Sequence, residues 1–518
     1  MRKGMFILLA ILMTVVCLFA VWKIQVRQNQ TIVENKLLPE DFAKRHGAPP
    51  GVAISNVFLG PFRNLIINTL WLRMDRLQKQ GKFFEMVQLA DWILRVQPEN
   101  ATVAQYLAWN MAYNITVTQQ NYDSRRRWIK KALETLHTAM KYNPNDPILY
   151  REMAWIYQHK LGDEMDNASA YYKLKIAEEN FRIFGGVHSP DWQKLANQPE
   201  DWETFYKNNP YFKSLCSDRE DELVKTFFET GALPENLNVS ADKKETLTQF
   251  VRSQTIRKEL LLDPAHAAWV EAKYGKLNWL LPDAFAIYWG SLGLRKIPNE
   301  RTLHCQRIVA QGLKVMMLSG RIIYAGGKPG ADFIRLPNFN VADSALEEIR
   351  KMAELTKGGI QFSGYHYFLM DMVDLLYLYG QREKAAKYYK ILENEVPSET
   401  KGMDVQQFVI NRMHKQLKTI KNSTLQSMVS GIILQSIFAF TNDADEDAQE
   451  MLFMAETFYN EYLKLHSSAE ERERLRLPPF KDFKQNITNW VLKSYPGLAP
   501  VLKAKLDLQE KTSLPVEK

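Results

Sequence analysis

From Pro61 onward, apolar residues fall at three- and four-residue steps, the period of an amphipathic helix. Leu65, Trp71, Leu72 and Leu77 make one stripe, which Gly81 ends; Phe84, Val87, Ala90, Ile93 and Leu94 make a second, closed by Pro98. Ala104, Leu107 and Ala108 begin a third, and Ala132, Leu136 and Ala139 a fourth that stops before Asn143-Pro144. Asp146-Pro147 then reads as a helix start, with the aspartate as N-cap and the proline in the first turn. Residues 187–345 keep no fixed register, yet the same periodicity predicts helices near 218–230, 243–262, 265–273, 283–292 and 299–319. Trp279 and Trp289 in that stretch are expected in the core. After His366 the regular pattern returns: Leu369, Met372, Val373 and Leu376, a turn at Gly380, then Ala385, Tyr389 and Leu392 before Pro397. Further helices are predicted over 404–421, 425–440 and 444–465, a capping helix over 483–492, and a frayed tail over 511–518. The fold class is all-α.

The punctuation has its own spacing. Gly81 and Pro98 are 17 residues apart, and so are Gly380 and Pro397. Between Pro147 and Gly186 the chain reads Tyr150-x2-Met153-Ala154-x2-Tyr157, Gly162, then Ala168-x3-Tyr172. That stretch resembles the tetratricopeptide repeat, whose two helices carry W-x2-L-G-x2-Y and A-x3-F. Met86 stands where the family has a small residue, and Asn180 where it has the closing proline. Pro98 to Pro144 spans 46 residues against 34 in the family, which places an inserted loop near Thr116 to Ser124.

The resemblance, strongest over 61–184 and 366–399, implies a helical-repeat superhelix that binds a protein or an extended peptide on its concave face. It divides the chain into repeats at 61–186, a non-repeat helical middle at 187–345, a second repeat-like region at 346–470, and a cap with its tail at 471–518. Carried over position by position, the groove residues are Trp71 and Asp75; Gln105, Trp109 and Tyr113; Arg151, Trp155, Gln158 and His159; and Tyr367, Asp374 and Tyr377.

The N-terminus follows a different pattern. Met5 to Trp22 is an uncharged run of 18 residues flanked by Arg2-Lys3 and Lys23, close to the roughly 20 residues a spanning helix needs. Leu18 and Val16 make poor cleavage positions ahead of Ala20 and Cys17, so an uncleaved anchor over 1–27 is expected. Residues 28–60, with Gly47-Ala48-Pro49-Pro50-Gly51, read as a spacer near the membrane. A short basic tail before the apolar run places the bulk of the chain outside the cytoplasm, on a single-pass cell (inner) membrane anchor.

Composition narrows the functions. An apolar share of 46% supports a packed core. Half of the net +8 charge comes from Arg2, Lys3, Lys23 and Arg27, so little is left to argue for nucleic acid. Cys17, Cys216 and Cys305 have no metal-type spacing; Cys216 and Cys305 either pair or remain separate buried thiols. Gly326-Gly327-Lys328-Pro329-Gly330 fails the phosphate-loop pattern and reads as a surface loop. Arg125-Arg126-Arg127 with Lys130-Lys131 reads as a solvated helix face. His137, His159, His304, His366 and His414 are scattered through helical stretches. No catalytic motif, cofactor or metal site emerges, and the expectation is a membrane-anchored interaction scaffold without enzymatic activity. The rival expectations are a helical toroid that processes glycans with paired carboxylates, Asp75 and Asp374 being the acids to test, and an inert assembly subunit.

Overall fold

The computed structural model describes residues 63–237, 239–297, 302–330, 332–355, 359–420, 422–466 and 477–513, with scattered positions between 12 and 30. Half of the anchor run Met5–Trp22 and nearly all of the 28–60 spacer lie outside the described residues, as do His46 and residues 467–476 and 514–518. Among the described residues no helix is long and apolar enough to cross a membrane.

Helices dominate. In chain order the longer ones are α1 (Arg63–Lys79), α2 (Phe83–Val96), α3 (Ala101–Trp109), α4 (Tyr122–Tyr142), α5 (Pro147–Trp155) and α6 (Ser169–Ile183). Then come α7 (Glu220–Thr230), α8 (Ala241–Glu259), α9 (Pro264–Tyr274), α10 (Pro282–Lys296) and α11 (Leu303–Ser319). A short hairpin of β1 (Arg321–Tyr324) and β2 (Phe333–Leu336) precedes α12 (Ala342–Leu355), α13 (Gly359–Leu378), α14 (Arg382–Glu395) and α15 (Val405–Leu417). The chain continues with α16 (Asn422–Thr441), α17 (Asp445–Leu465), α18 (Phe480–Ser494) and α19 (Ala499–Ser513). It divides into two compact units: Met1–Tyr172 with Phe285–Ile308, and Lys173–Ala284 with Val309–Lys518.

In the first unit, successive helices pack as neighbours: α1 on α2, α2 on α3, α3 on α4, α4 on α5, and α3 also directly on α5. Local signals set the boundaries. Gly81 turns α1 into α2 with φ +70, a conformation open to glycine and costly for other residues. Asn100 caps α3 by accepting from the Val103 amide, and Asp146 caps α5 by accepting from Ile148 with Pro147 in the first turn. Ala104, Ala108 and Ala112 are wholly buried a turn apart, and α4 brings Ala132, Leu136 and Ala139 to the same core. Met86 is also fully buried, and its sulfur accepts from the Tyr106 hydroxyl at 3.5 Å.

The expected insertion loop is absent as a loop. The helix begun by α3 runs on through a π-helical stretch at Asn110–Ile115 and a 3-10 turn at Thr116–Thr118, so only Gln119–Asn121 separate it from α4. Side chains hold the wider winding by engaging carbonyls and one another. Asn110 Nδ2 donates to the Tyr106 carbonyl at 2.8 Å, Thr116 Oγ1 to that of Ala112 at 2.7 Å, and Asn114 Nδ2 to Asn110 Oδ1 at 2.6 Å. Helix α5 repeats the device, passing into π-helix at Ile156–Leu161. Arg125 and Lys160 both pair with the buried Asp166, at 3.1 and 2.5 Å, tying the segment after this second π stretch to the start of α4.

The second unit is built on helix hairpins: α7 with α8, α12 with α13, α13 with α14, and α16 with α17, with α18 and α19 packed on α16. Gly380, φ +73, makes the α13–α14 turn as Gly81 does in the first unit. Asp404 and Gln407 form a reciprocal capping box at the start of α15. Asn180, at the position of the missing proline, is 1% exposed and donates to the Trp279 carbonyl at 2.7 Å. Trp279 packs 4.6 Å from Trp192. The expected surface loop around Gly326–Gly330 is present, as the tip of an antiparallel β1–β2 hairpin whose strands were not expected, with Arg321 opposite Leu336 and Tyr324 opposite Phe333. The alternation of buried Ile322 and Tyr324 with less buried neighbours supplies that period-two signal. Cys216 and Cys305 are both free and buried, so the possible disulfide does not form. Burial pushes the two thiols up, to about 11 and about 12 respectively.

Candidate functional site

Seven of the twelve residues selected for the groove gather in the first unit, on the ends of α3 and α5 and the π stretches that follow them. The two helices present equivalent residues 46 positions apart: Gln105 and Arg151, Trp109 and Trp155, Tyr113 and His159. Because α3 and α5 are neighbours, these pairs merge into one surface. The Trp109 and Tyr113 rings lie 5.6 Å apart, Tyr113 and His159 5.8 Å, and His159 stacks on Trp155 at 4.6 Å with planes 12° apart. The Tyr113 hydroxyl is 3.4 Å from His159 Nδ1, and Lys160 Nζ stands over the Tyr113 ring at 5.4 Å. Burial, reinforced by the nearby Glu152, raises the Tyr113 phenol far above its ordinary range and keeps it neutral. Trp109 and Trp155 each remain 37% exposed.

Beside this aromatic strip is a pocket of about 330 Å³, lined by Gln105, Trp109, Arg151, Glu152, Trp155, His304, Arg307 and Ile308. Its floor is Glu152, whose side chain is 3% exposed. Glu152 Oε2 accepts from Gln105 Nε2 at 3.2 Å and from the Arg151 guanidinium at 3.0 Å, while Oε1 has no hydrogen-bond partner. Burial holds the carboxyl above its usual range, against the pull of Arg151 and Gln105. His304 and Arg307 are exposed at the rim, on the first turns of α11. Gln158 braces that wall, its Nε2 donating to the Ile308 carbonyl at 3.2 Å.

The other groove candidates lie elsewhere. Trp71 is half-buried, 5.7 Å from the Tyr106 ring, and Asp75 forms a surface ion pair with Lys79 at 2.7 Å. In the second unit, Tyr367 is 62% exposed, whereas Tyr377 is covered, with the Arg382 guanidinium 3.3 Å from its ring centre. Asp374 is held by Arg412 Nε at 2.6 Å, and burial still pushes its carboxyl up to about 6. The two acids considered for a catalytic pair therefore belong to separate units, each with its own cation.

Four pocket residues escape the repeat register. Glu152 is adjacent to a selected position but is an acid beside core residues, and acids are seldom fully buried. His304, Arg307 and Ile308 come from the non-repeat middle, where no register could align them. Among the described residues no group of three or more His, Cys, Asp or Glu side chains converges as metal ligands. Comparison of the chain with protein-family models, curated proteins and solved structures returns no match.

Proposed function

We propose that this chain is a membrane-anchored, tetratricopeptide-like scaffold that holds an extended segment of a protein partner at the extracytoplasmic face of a cell membrane. The anchor in this reading is the uncharged run from Met5 to Trp22. The succession of helix pairs in the first unit, with α3 on α5, supports the repeat architecture. The observation that carries the binding role is the unbroken strip Trp109–Tyr113–His159–Trp155 beside the Glu152 pocket. Large aromatics at the centre of a recognition surface supply much of its affinity, each worth about 2 kcal/mol or more when truncated. Guanidinium, amide and carboxylate groups beside them match the carbonyls and N–H groups of an extended main chain.

The test is in-cell crosslinking of the full chain, with a photoreactive amino acid in place of Trp155. A scaffold gives crosslinks that map to one short segment of a partner and that Trp109→Ala abolishes. Crosslinks only to lipid, or spread over many unrelated surfaces, would remove the binding role. An active cytoplasmic reporter fused to the C-terminus would overturn the topology alone.

A further inference from the structure

Helices α18 and α19 pack on one another and on α16, and that packing covers only one side of each. On α18, Thr488 and Val491 are buried while Trp490 is 50% exposed; on α19, Leu502 is buried while Val501 and Leu508 are 44% and 61% exposed. Tyr495, in the turn between the two helices, is 46% exposed, and its ring lies 5.5 Å from that of Trp490. Tyr495 also borders a hollow of about 210 Å³, walled by Leu434, Ile437 and Phe438 of α16, Val491 of α18 and Leu498 of the turn. The side chains lining this hollow are apolar apart from Gln435 and Tyr495 itself.

The charges around the ring pair are of two kinds. Lys505 is committed to the fold: its ammonium donates to the Phe440 carbonyl at 2.6 Å and pairs with Asp443 and Asp445 at 2.8 and 3.2 Å. Lys481, Lys484, Lys493 and Lys503 form no ion pair with a described residue, and all but the half-buried Lys484 are exposed. Only Asp482 and Asp507 oppose them among the exposed side chains described on the pair. Lys493 follows Trp490 by three residues, so the two share a face of α18.

These properties discriminate among coverings. In a two-fold dimer the patch would meet itself and set the same lysines against one another. A lipid surface suits each feature. Tryptophan and tyrosine rings favour the level of the headgroups, where the ring meets hydrocarbon and its N–H or O–H meets polar groups. Lysine ammoniums are drawn to anionic headgroups, and an apolar hollow accepts the end of an acyl chain without stranding a polar group. We propose that the α18–α19 pair is a membrane-docking face that lies on an anionic bilayer surface. Trp490 and Tyr495 sit at the level of the headgroups, and Lys481, Lys493 and Lys503 lie against their phosphates. This goes beyond the proposed function, in which only the Met5–Trp22 run enters the membrane.

Photo-crosslinking of the full chain in lipid nanodiscs tests it, with a photoreactive phenylalanine analogue in place of Trp490, Tyr367 or Phe19 in turn. The discs are phosphatidylcholine alone or phosphatidylcholine with one-quarter phosphatidylglycerol. In the mixed discs, lipid adducts at Trp490 are expected to exceed those at Tyr367 at least about fivefold, although Tyr367 is the more exposed of the two. The yield at Trp490 is expected to fall at least about fivefold in the phosphatidylcholine discs, and equally when Lys481→Gln, Lys493→Gln and Lys503→Gln are combined. The lipid change varies the same attraction without altering the lysines, so the test stands even if the triple variant misfolds. Equal yields at Trp490 and Tyr367, or a yield at Trp490 that ignores both changes, overturns the docking face. In the cell, adducts at Trp490 to a protein in place of lipid would overturn it in favour of a protein partner. Phe19 reports the anchor separately: lipid adducts there but not at Trp490 remove the docking face alone, and the reverse removes the anchor alone.

Discussion

Gly293→Ala probes how tightly the pocket's two walls are joined. A Cβ added at Gly293 of α10 would stand 2.9 Å from the Tyr150 Cβ and 3.1 Å from Cys305 Sγ. Tyr150 adjoins Arg151 and Glu152 on α5, and Cys305 lies between His304 and Arg307, so one glycine spaces both sides of the site. Two effects of opposite sign compete. Replacing a mid-helix glycine by alanine favours the helix by up to about 1 kcal/mol. Overpacking a filled core costs about 1–3 kcal/mol. The nearest atom decides between them. A Cβ cannot rotate away, and the Tyr150 ring is tethered by its hydroxyl to the Pro144 carbonyl at 2.9 Å. Relief therefore requires α5 or α10 to shift. The expected net loss is about 1–2 kcal/mol, or roughly 2–8 °C in the melting temperature of a unit of this size. Calorimetry of the full chain measures it, and Gly293→Ser, with a larger side chain, should melt lower still. An unchanged or raised melting temperature for Gly293→Ala would refute the close contact and the claim that it spaces the pocket.

His137 gives a pH dependence. Its ring lies 6.0 Å from Trp289, and burial, with Lys141 and Lys296 adding to it, lowers its pKa from 6.5 to about 4. Between those values the unfolded chain binds more protons, so stability is full above pH ~6.5 and falls by about 1–3 kcal/mol as the pH drops toward ~4. His137→Gln should flatten that slope in urea titrations, and an unchanged slope would exclude the residue as its source. Asn180→Ala removes a buried hydrogen bond to Trp279 and should cost about 1–3 kcal/mol in the second unit; a cost near zero by denaturant unfolding would contradict its role. Cys216 and Cys305 should resist thiol reagents in the native protein and react only on unfolding, whereas a disulfide would block both even in denaturant.

The helical architecture is legible in the sequence because its signals are local. Asp146-Pro147, Gly81 and Gly380 act within a turn of where they stand, and stripes such as Leu369, Met372, Val373 and Leu376 declare a buried face. Several helices of the middle region follow for the same reason, with ends within a few residues. The excess length between Pro98 and Pro144 is also visible, but not its use. The π winding depends on Asn110 and Thr116 reaching carbonyls one turn back, which leaves no periodic trace. The β1–β2 hairpin is too short to outweigh the glycines at its tip. The pocket divides along the same line. Gln105, Trp109, Arg151 and Trp155 follow from the repeat register, whereas His304, Arg307 and Ile308 reach them only through the folded chain. The burial of Glu152 depends on two partners, one of them 47 residues away, and no local pattern marks it.

Peptide-display selection on the full chain in nanodiscs, run in parallel on wild type and on Trp109→Ala with Trp155→Ala, tests the central claim most directly. Both tryptophans are more than one-third exposed, so the double variant should melt close to wild type. The expected result is a family of extended, aromatic-containing peptides that wild type enriches and the folded double variant does not. Enrichment of the same peptides by both proteins, or of none by wild type, would contradict the account.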